Sequence, residues 1–304
     1  MSTDKKIGVL FLAFGGAESL NDVEPFINNV LKGRHIPSGL LEKMKERYIL
    51  IGGKSPLLEI TEAQARGVGE ILGDKYKTYV GMLNWAPYIP DTIAQMKADG
   101  IEEALAIVMA PFTSPVATGK YERCVDQTLL QYNKTLKIKM LTNWHVNRDF
   151  IKIILNKIEE ALSSFEDKKN ALVIFSNHSL PREALEGDAY EMKIRQTTDI
   201  LASKLEMECK TAYQSQGSAK VDWLGPKTEE VIEEAKKAGK EGVVVVPLCF
   251  TADHIETLYD IDILFKTTAE EAGLKFARTT SLNTTPEFMT LLADIIKKTG
   301  VDIF

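Results

Sequence analysis

Cysteine is scarce in this chain of 304 residues: Cys124, Cys209 and Cys249 are three, and they lie too far apart for a C-x-x-C pair. That excludes a disulfide framework and a zinc–thiolate or iron–sulfur centre. Cys249, inside an apolar run, reads as a small core residue. Basic excess is missing as well. The net charge is −6, whereas a general nucleic-acid binder shows a basic face. No apolar run approaches the roughly 18 residues of a membrane span, so the expected location is cytoplasmic, at most peripheral to a membrane. The opening MSTDKKIGVLFLAFGG stops being apolar at Gly15-Gly16 without a small-residue cleavage pattern, and it reads as a first strand rather than a leader. Phosphate-binding and acyl-transfer signatures are absent too. ATGKY (117–121) lacks the upstream glycine of a P-loop, AFGGAES does not make G-x-G-x-x-G, and there is no G-x-S-x-G elbow, H-E-x-x-H pair or EF-hand loop.

What is present is a regular alternation. Short apolar runs suited to strands fall at 7–14, 77–83, 103–111, 136–142, 171–178, 209–215, 242–250 and 274–280, with amphipathic helical stretches between them. Strands alternating with helices imply parallel sheets built from βαβ units. The polar stretch SSFEDKKN (163–170) divides the eight units into two sets of four. The expected fold is therefore α/β, with two similar Rossmann-like lobes, each a four-stranded parallel sheet flanked by helices. The expected division is 1–165 and 166–304, with the last helix free to pack back on the first lobe. In each half the first and third strands are the most apolar, and they end in the turns AFGGAESL, APFTSPVATGKY, SNHSLP and FTADHIETLYD. Ligands in open α/β sheets bind beyond the carboxyl ends of the strands, so the four turns point to one cleft between the lobes.

Two of the four histidines, His178 and His254, end strands of the second half. His178, held by Pro181, is placed for a proton acceptor or a metal ligand; the plainer reading is a histidine that only bonds its own loop. In FTADHIETLYD, the spacing of Glu256, Asp260 and Leu264 predicts one helical face if the helix starts near Asp253. Asp253 would then be its N-cap, with Glu256 completing a capping box. That accounts for Asp253 and leaves His254 and Asp260 unexplained. A carboxylate pair beside an imidazole suits a divalent ion of borderline softness such as iron or zinc. The ligands are too few for a closed structural site, which implies a transient stop for the metal.

The chain resembles the ferrochelatases along nearly its whole length. The resemblance is carried by ERYILIGGKSPLLEIT (46–61), FSNHSLP (175–181), YQSQGSAKVDWLGP (213–226) and VPLCFTADHIETLYDID (246–262), in the family's order. It implies a porphyrin cleft between two Rossmann-like lobes, and ATP-independent insertion of Fe²⁺ into protoporphyrin IX or coproporphyrin III in haem biosynthesis. By position, His178 and Glu256 would be catalytic, with Glu256 across the porphyrin plane, and His178, Glu256 and Asp260 would handle the metal. Arg47, Tyr48 and Ser55 match positions near the propionates, and Tyr121 matches a tyrosine of the cleft. Three departures stand out. Phe14 replaces the tyrosine of coproporphyrin-using members and can only pack on the ring. Leu31 replaces a propionate-binding arginine, with Lys32 and Arg34 close enough to substitute. Leu264 replaces a third carboxylate. The resemblance is to bacterial members without a carboxy-terminal iron–sulfur extension. It further implies no permanently bound cofactor, Fe²⁺ and a porphyrin as substrates, a monomer or weak dimer, and transient contacts with neighbouring haem-pathway enzymes. The competing readings are a chelatase for another metal or ring, of the cobalt–sirohydrochlorin type, and a non-catalytic two-lobed tetrapyrrole- or solute-binding protein.

Overall fold

The computed structural model describes residues 5–132, 135–217 and 219–300. It contains two four-stranded parallel sheets of the same topology. The first is built from β1 (Ile7–Ala13), β2 (Tyr76–Met82), β3 (Glu103–Val108) and β4 (Lys137–Leu141), in the order β2-β1-β3-β4. The second, from β5 (Ala171–His178), β6 (Cys209–Gln214), β7 (Gly242–Pro247) and β8 (Lys275–Arg278), runs β6-β5-β7-β8. The most apolar strands are the central ones in both sheets. β1 and β7 are buried at every position, and β5 at every position except His178 at its end. The edge strands carry exposed or half-buried residues. This is the burial expected where helices cover both faces of a parallel sheet.

The strands match the apolar runs to within one residue at their amino ends, and all but β5 fall short of them at their carboxyl ends. Residues 109–111 and 248–250 leave the ladder although they are apolar. Cys249 is buried, and the Thr251 hydroxyl donates to the Met109 carbonyl at 2.9 Å. The two runs have become walls of a cleft, so apolarity there signals packing between lobes and not pairing within a sheet.

Two helices tie the sheets together. Helix Arg148–Leu162 follows β4 in sequence but packs against helix Tyr190–Leu205 and the strands β7 and β8. Helix Pro286–Gly300 follows β8 and lies along helix Leu57–Leu72. One apolar cluster consequently runs through both sheets, from Val9 and Phe11 through Trp144 and Phe288 to Val173 and Val244. Trp144 stands edge-on to Phe150, with ring centroids 5.3 Å apart. Among the described residues no helix is long and apolar enough to cross a membrane.

Gly242 opens β7, the strand whose far end feeds the site. A methyl group there would run into the Lys275 carbonyl and the Phe165 ring. Overpacking of this kind costs about 1–3 kcal/mol. Gly242→Ala should therefore lower the thermal midpoint by several degrees in calorimetry; an unchanged midpoint would show that β8 yields freely at this point.

Candidate active site

The carboxyl ends of β5 and β7 lie side by side, with Ser176 paired to Pro247, and this brings the ionisable groups together. His178 ends β5, its backbone N–H donating to Cys249 Sγ at 3.1 Å and its carbonyl accepting from the Tyr190 hydroxyl at 2.9 Å. His178 Nδ1 lies 2.7 Å from the Ser179 carbonyl. A carbonyl can only accept, so Nδ1 carries the hydrogen and Nε2 is left facing the cleft. There it meets Glu256 Oε1 at 3.6 Å. His254 repeats the arrangement. Its Nδ1 lies 3.1 Å from the Ala252 carbonyl, and its Nε2 stands 3.6 Å from Glu256 Oε2. Each carboxylate oxygen of Glu256 thus faces one imidazole.

This geometry changes two expectations. Glu256 does not stand across a ring's width from His178: Oε1 of the one lies 3.6 Å from Nε2 of the other. His254, left without a role by the sequence, is a full member of the set. Its two-residue spacing from Glu256 does not fit a helix face, and Glu256 lies in a helix, so helical periodicity could not flag it. The helix also starts later than expected. His254 is the N-cap of helix Ile255–Leu258, with its N–H donating to Thr257 Oγ1 at 3.0 Å. Asp253 lies one residue outside and bonds side chains instead, among them Ser281 Oγ at 2.6 Å.

After Tyr259 the chain enters a π-helix, Asp260–Phe265. The Leu264 N–H donates to the Tyr259 carbonyl at 3.0 Å, an i→i+5 bond of the type found at functional sites. The wider turn breaks the shared face of Glu256, Asp260 and Leu264. Leu264 packs into the core of the second lobe, while Asp260 is only 4% exposed. Asp260 Oδ2 accepts from Ser215 Oγ at 2.5 Å, and Oδ1 lies 3.5 Å from Arg47 Nη1. Ser215 takes a left-handed backbone, φ 58°, which costs energy in a residue other than glycine and aims its hydroxyl at the acid.

The two carboxyls titrate apart. Burial alone would raise the pKa of Glu256, but His178 and then His254 overcome it and hold the group far below the usual carboxylate range. Asp260 goes the other way. Burial pushes it up to about 6, the Ser215 hydrogen bond opposing and the Glu256 charge adding to the rise. For His178, burial favours the neutral ring, yet Glu256 more than offsets this and the pKa is raised.

The expected ring-contacting residues are spread around this centre. Arg47 reaches Asp260 and lays its guanidinium over the Tyr259 ring, 4.5 Å from the centroid. Tyr48 is fully buried, and its hydroxyl accepts from the Ala17 N–H at 3.1 Å. Ser55 is buried, its N–H donating to the Ala17 carbonyl at 2.8 Å and its Oγ accepting from Leu57 N–H at 3.3 Å. Both brace the turn after β1, where Gly16 comes so close to Ser55 that a Cβ would lie 2.7 Å from the Ser55 Cβ. Phe14 is exposed and stands edge-on to Phe26 at 6.3 Å. Tyr121 is buried, and burial followed by the Glu256 charge keeps its hydroxyl protonated. Arg34 is exposed, with Nε donating to the Leu31 carbonyl at 3.1 Å.

The ferrochelatase family model matches residues 6–300. The chain belongs to the ferrochelatase family. It is 34% identical to the ferrochelatase of Deinococcus radiodurans, covering 100% of this chain and 99% of that one. The ferrochelatase of Citrifermentans bemidjiense is 35% identical, over 96% of this chain and 98% of its own length. The coproporphyrin III ferrochelatase of Halalkalibacterium halodurans is 33% identical, over 97% and 98%. Among solved structures, SirB from Bacillus subtilis with Fe³⁺ superposes with a TM-score of 0.64 at 11% identity, over 97% of this chain and 95% of that one. The sirohydrochlorin chelatase SirB from Bacillus subtilis subspecies spizizenii in complex with cobalt gives 0.62 at 10%, over 98% and 96%. At such identities these two show the fold: a two-lobed α/β architecture common to chelatases of this type.

The ion pair of this ferrochelatase-family site has a defined pH window. A raised His178 pKa contributes stability that is complete below about pH 6.5 and lost as pH rises through the folded value. A lowered Glu256 pKa contributes stability present above about pH 4.3 and lost as pH falls through its folded value. The pair is therefore strongest between those limits. By histidine side-chain NMR, His178 should titrate above 6.5 in the native protein and below it in Glu256→Gln, where burial remains and the anion is gone. The Asp260 carboxyl should shift down from about 6 in the same variant. A His178 midpoint that ignores the substitution would show that Glu256 is not its partner in solution.

Proposed function

We propose that the chain catalyses ATP-independent insertion of Fe²⁺ into a porphyrin, with His178 and Glu256 as catalytic residues and Asp260 as a second stop for the metal. The observation that carries this reading is Glu256 held ionised between His178 and His254 at the mouth of both central strands. Insertion replaces two pyrrole N–H protons with one Fe²⁺, so the site must accept protons and release a dication. His178 suits the first task. Its Nδ1–H is committed to Ser179, so in the neutral ring Nε2 carries the lone pair and can act as a base near physiological pH. Once protonated, the imidazolium is stabilised by Glu256.

Carboxylates suit the second task. Glu256 keeps a permanent charge, whereas Asp260 titrates near working pH, so it can take a dication and let it go. Arg47, lying against Asp260, occupies a position that an arriving cation would contest. Phe14 and Tyr121 supply ring-packing surface, and Arg34 and Arg47 supply cations for the carboxylates of the macrocycle. Phe14 and Leu31, in place of the tyrosine and arginine of coproporphyrin-using members, favour protoporphyrin IX over coproporphyrin III. No cofactor is required by this scheme, and Fe²⁺ is a substrate.

The decisive measurement is multiple-turnover metallation under anaerobic conditions with Fe²⁺, and with Zn²⁺ as a stable probe, against both porphyrins. Catalytic turnover is expected with protoporphyrin IX; stoichiometric binding without turnover would sink the enzymatic reading. His178→Ala should lower kcat by about 10²–10⁴-fold, the usual range for a lost general base. Asp260→Ala should raise the KM for metal and leave porphyrin affinity unchanged. A change in porphyrin affinity alone would remove Asp260 from the metal path.

A further inference from the structure

Arg278 ends β8 and holds both flanks of the segment that bears Glu256 and Asp260. It meets Asp262 as a fork, with Nε 2.5 Å from Oδ1 and Nη2 donating to Oδ2 at 3.0 Å. Its outer edge donates to Asp253 Oδ1 from Nη1 and Nη2, both at 3.2 Å. Asp253 immediately precedes His254, and Asp262 lies two residues beyond Asp260. The guanidinium is little exposed, with a side-chain accessibility of 16%, against 17% for Asp253 and 35% for Asp262.

The rest of the neighbourhood fastens Asp253 to the chain that follows β8. Asn283 donates from Nδ2 to Asp253 Oδ2 at 2.8 Å and accepts from the Asp253 N–H at 2.9 Å. Ser281 Oγ and Thr257 Oγ1 donate to Oδ1 at 2.6 Å and 3.2 Å. Asp262 has Arg278 as its anchor, and it lies within the π-helix, where the backbone gives up regular α-helical bonding. The segment between the two acids is thus spanned by one rigid, planar cation.

We propose that Arg278 is a positioning residue for metal transfer: by gripping Asp253 and Asp262 together it fixes the span that places Glu256 against His178 and Asp260 against Ser215 and Arg47. The inference rests on the assignment of Glu256 and Asp260 to the metal in the reading above. Arginine is required by the geometry. A fork on one carboxylate leaves the outer guanidinium edge for the second, whereas a lysine ammonium is a point charge without that planar arrangement.

The test compares wild type, Arg278→Lys, Arg278→Gln, Asp262→Asn and Glu256→Gln. Metallation is followed with Zn²⁺ and Fe²⁺, porphyrin binding by fluorescence titration, and the His178 midpoint by NMR. Groups that orient metal-handling residues typically matter by 10–100-fold. Arg278→Lys and Asp262→Asn should therefore raise the metal KM by about tenfold or more, with porphyrin affinity within about twofold of wild type. The His178 midpoint should fall as Glu256 moves off it, and lysine should not rescue. If Arg278→Gln fails to fold, Asp262→Asn carries the test, because it leaves Arg278 bonded to Asp253. A metal KM within twofold of wild type in both Arg278→Lys and Asp262→Asn overturns the proposal, whatever happens to the thermal midpoint. Glu256→Gln keeps the two claims apart. Wild-type turnover in that variant removes the site assignment itself, whereas lost turnover there with an undisturbed KM in Arg278→Lys removes only the role of Arg278.

Discussion

A half-buried carboxylate held between two imidazoles is the constraint around which this molecule is arranged. Left alone, Glu256 would have its pKa raised, since burial disfavours the charged form. Two imidazoles prevent this, one at each oxygen. Each imidazole is oriented by its own Nδ1, which donates to a carbonyl one or two residues away in sequence, Ser179 for one and Ala252 for the other. Local backbone geometry therefore sets both rings, and the adjacency of β5 and β7 sets the distance between them. A shift of one residue in that pairing would turn the strand-end side chains to the opposite face and take His178 away from the carboxylate.

The second constraint is the π-helix. A continuous α-helix from Ile255 would stack Asp260 over Glu256 and carry Leu264 along the same stripe. Two carboxylates so stacked would repel. The wider turn sends Asp260 toward Ser215 and Arg47, and Leu264 into the core under the second sheet. The two acids remain close enough for the charge of Glu256 to raise the pKa of Asp260, but they do not share an environment. One is fixed as an anion and the other can change its charge near physiological pH. Pairs of groups pushed apart in this way are a common basis for dividing roles at a site.

Much of this was legible in the sequence, and the misses have physical causes. The eight strands showed in their apolar runs because central strands of a parallel sheet are buried on both faces. Their carboxyl ends were overread at 109–111 and 248–250 because burial between lobes produces the same apolar signal as burial in a sheet. His178 was visible as a polar residue closing a buried strand. His254 was visible as a histidine near a strand end but had no role assigned, since that role depends on a loop that sets its Nε2 3.6 Å from Glu256. Asp253 looked like a cap because caps and charged anchors use the same residue; only the position of Arg278, beyond a helix and a strand, distinguishes them. Nothing in sequence spacing announces a π-helix, whose single wider turn leaves the apolar pattern on either side intact.

The two lobes share more than a cleft. Helix Arg148–Leu162 lies on the second sheet and helix Pro286–Gly300 on the first lobe's Leu57–Leu72 helix, each having crossed from the lobe whose strand precedes it. Separating the lobes would expose one continuous apolar cluster, at a cost of roughly 25 cal/mol for each Å² uncovered. The Thr251–Met109 and Asp188–Val116 hydrogen bonds cross the same boundary beside the site, at 2.9 Å and 3.0 Å. A cleft whose walls are joined through a common core therefore resists opening, and the site between the carboxyl ends of β5 and β7 keeps its geometry.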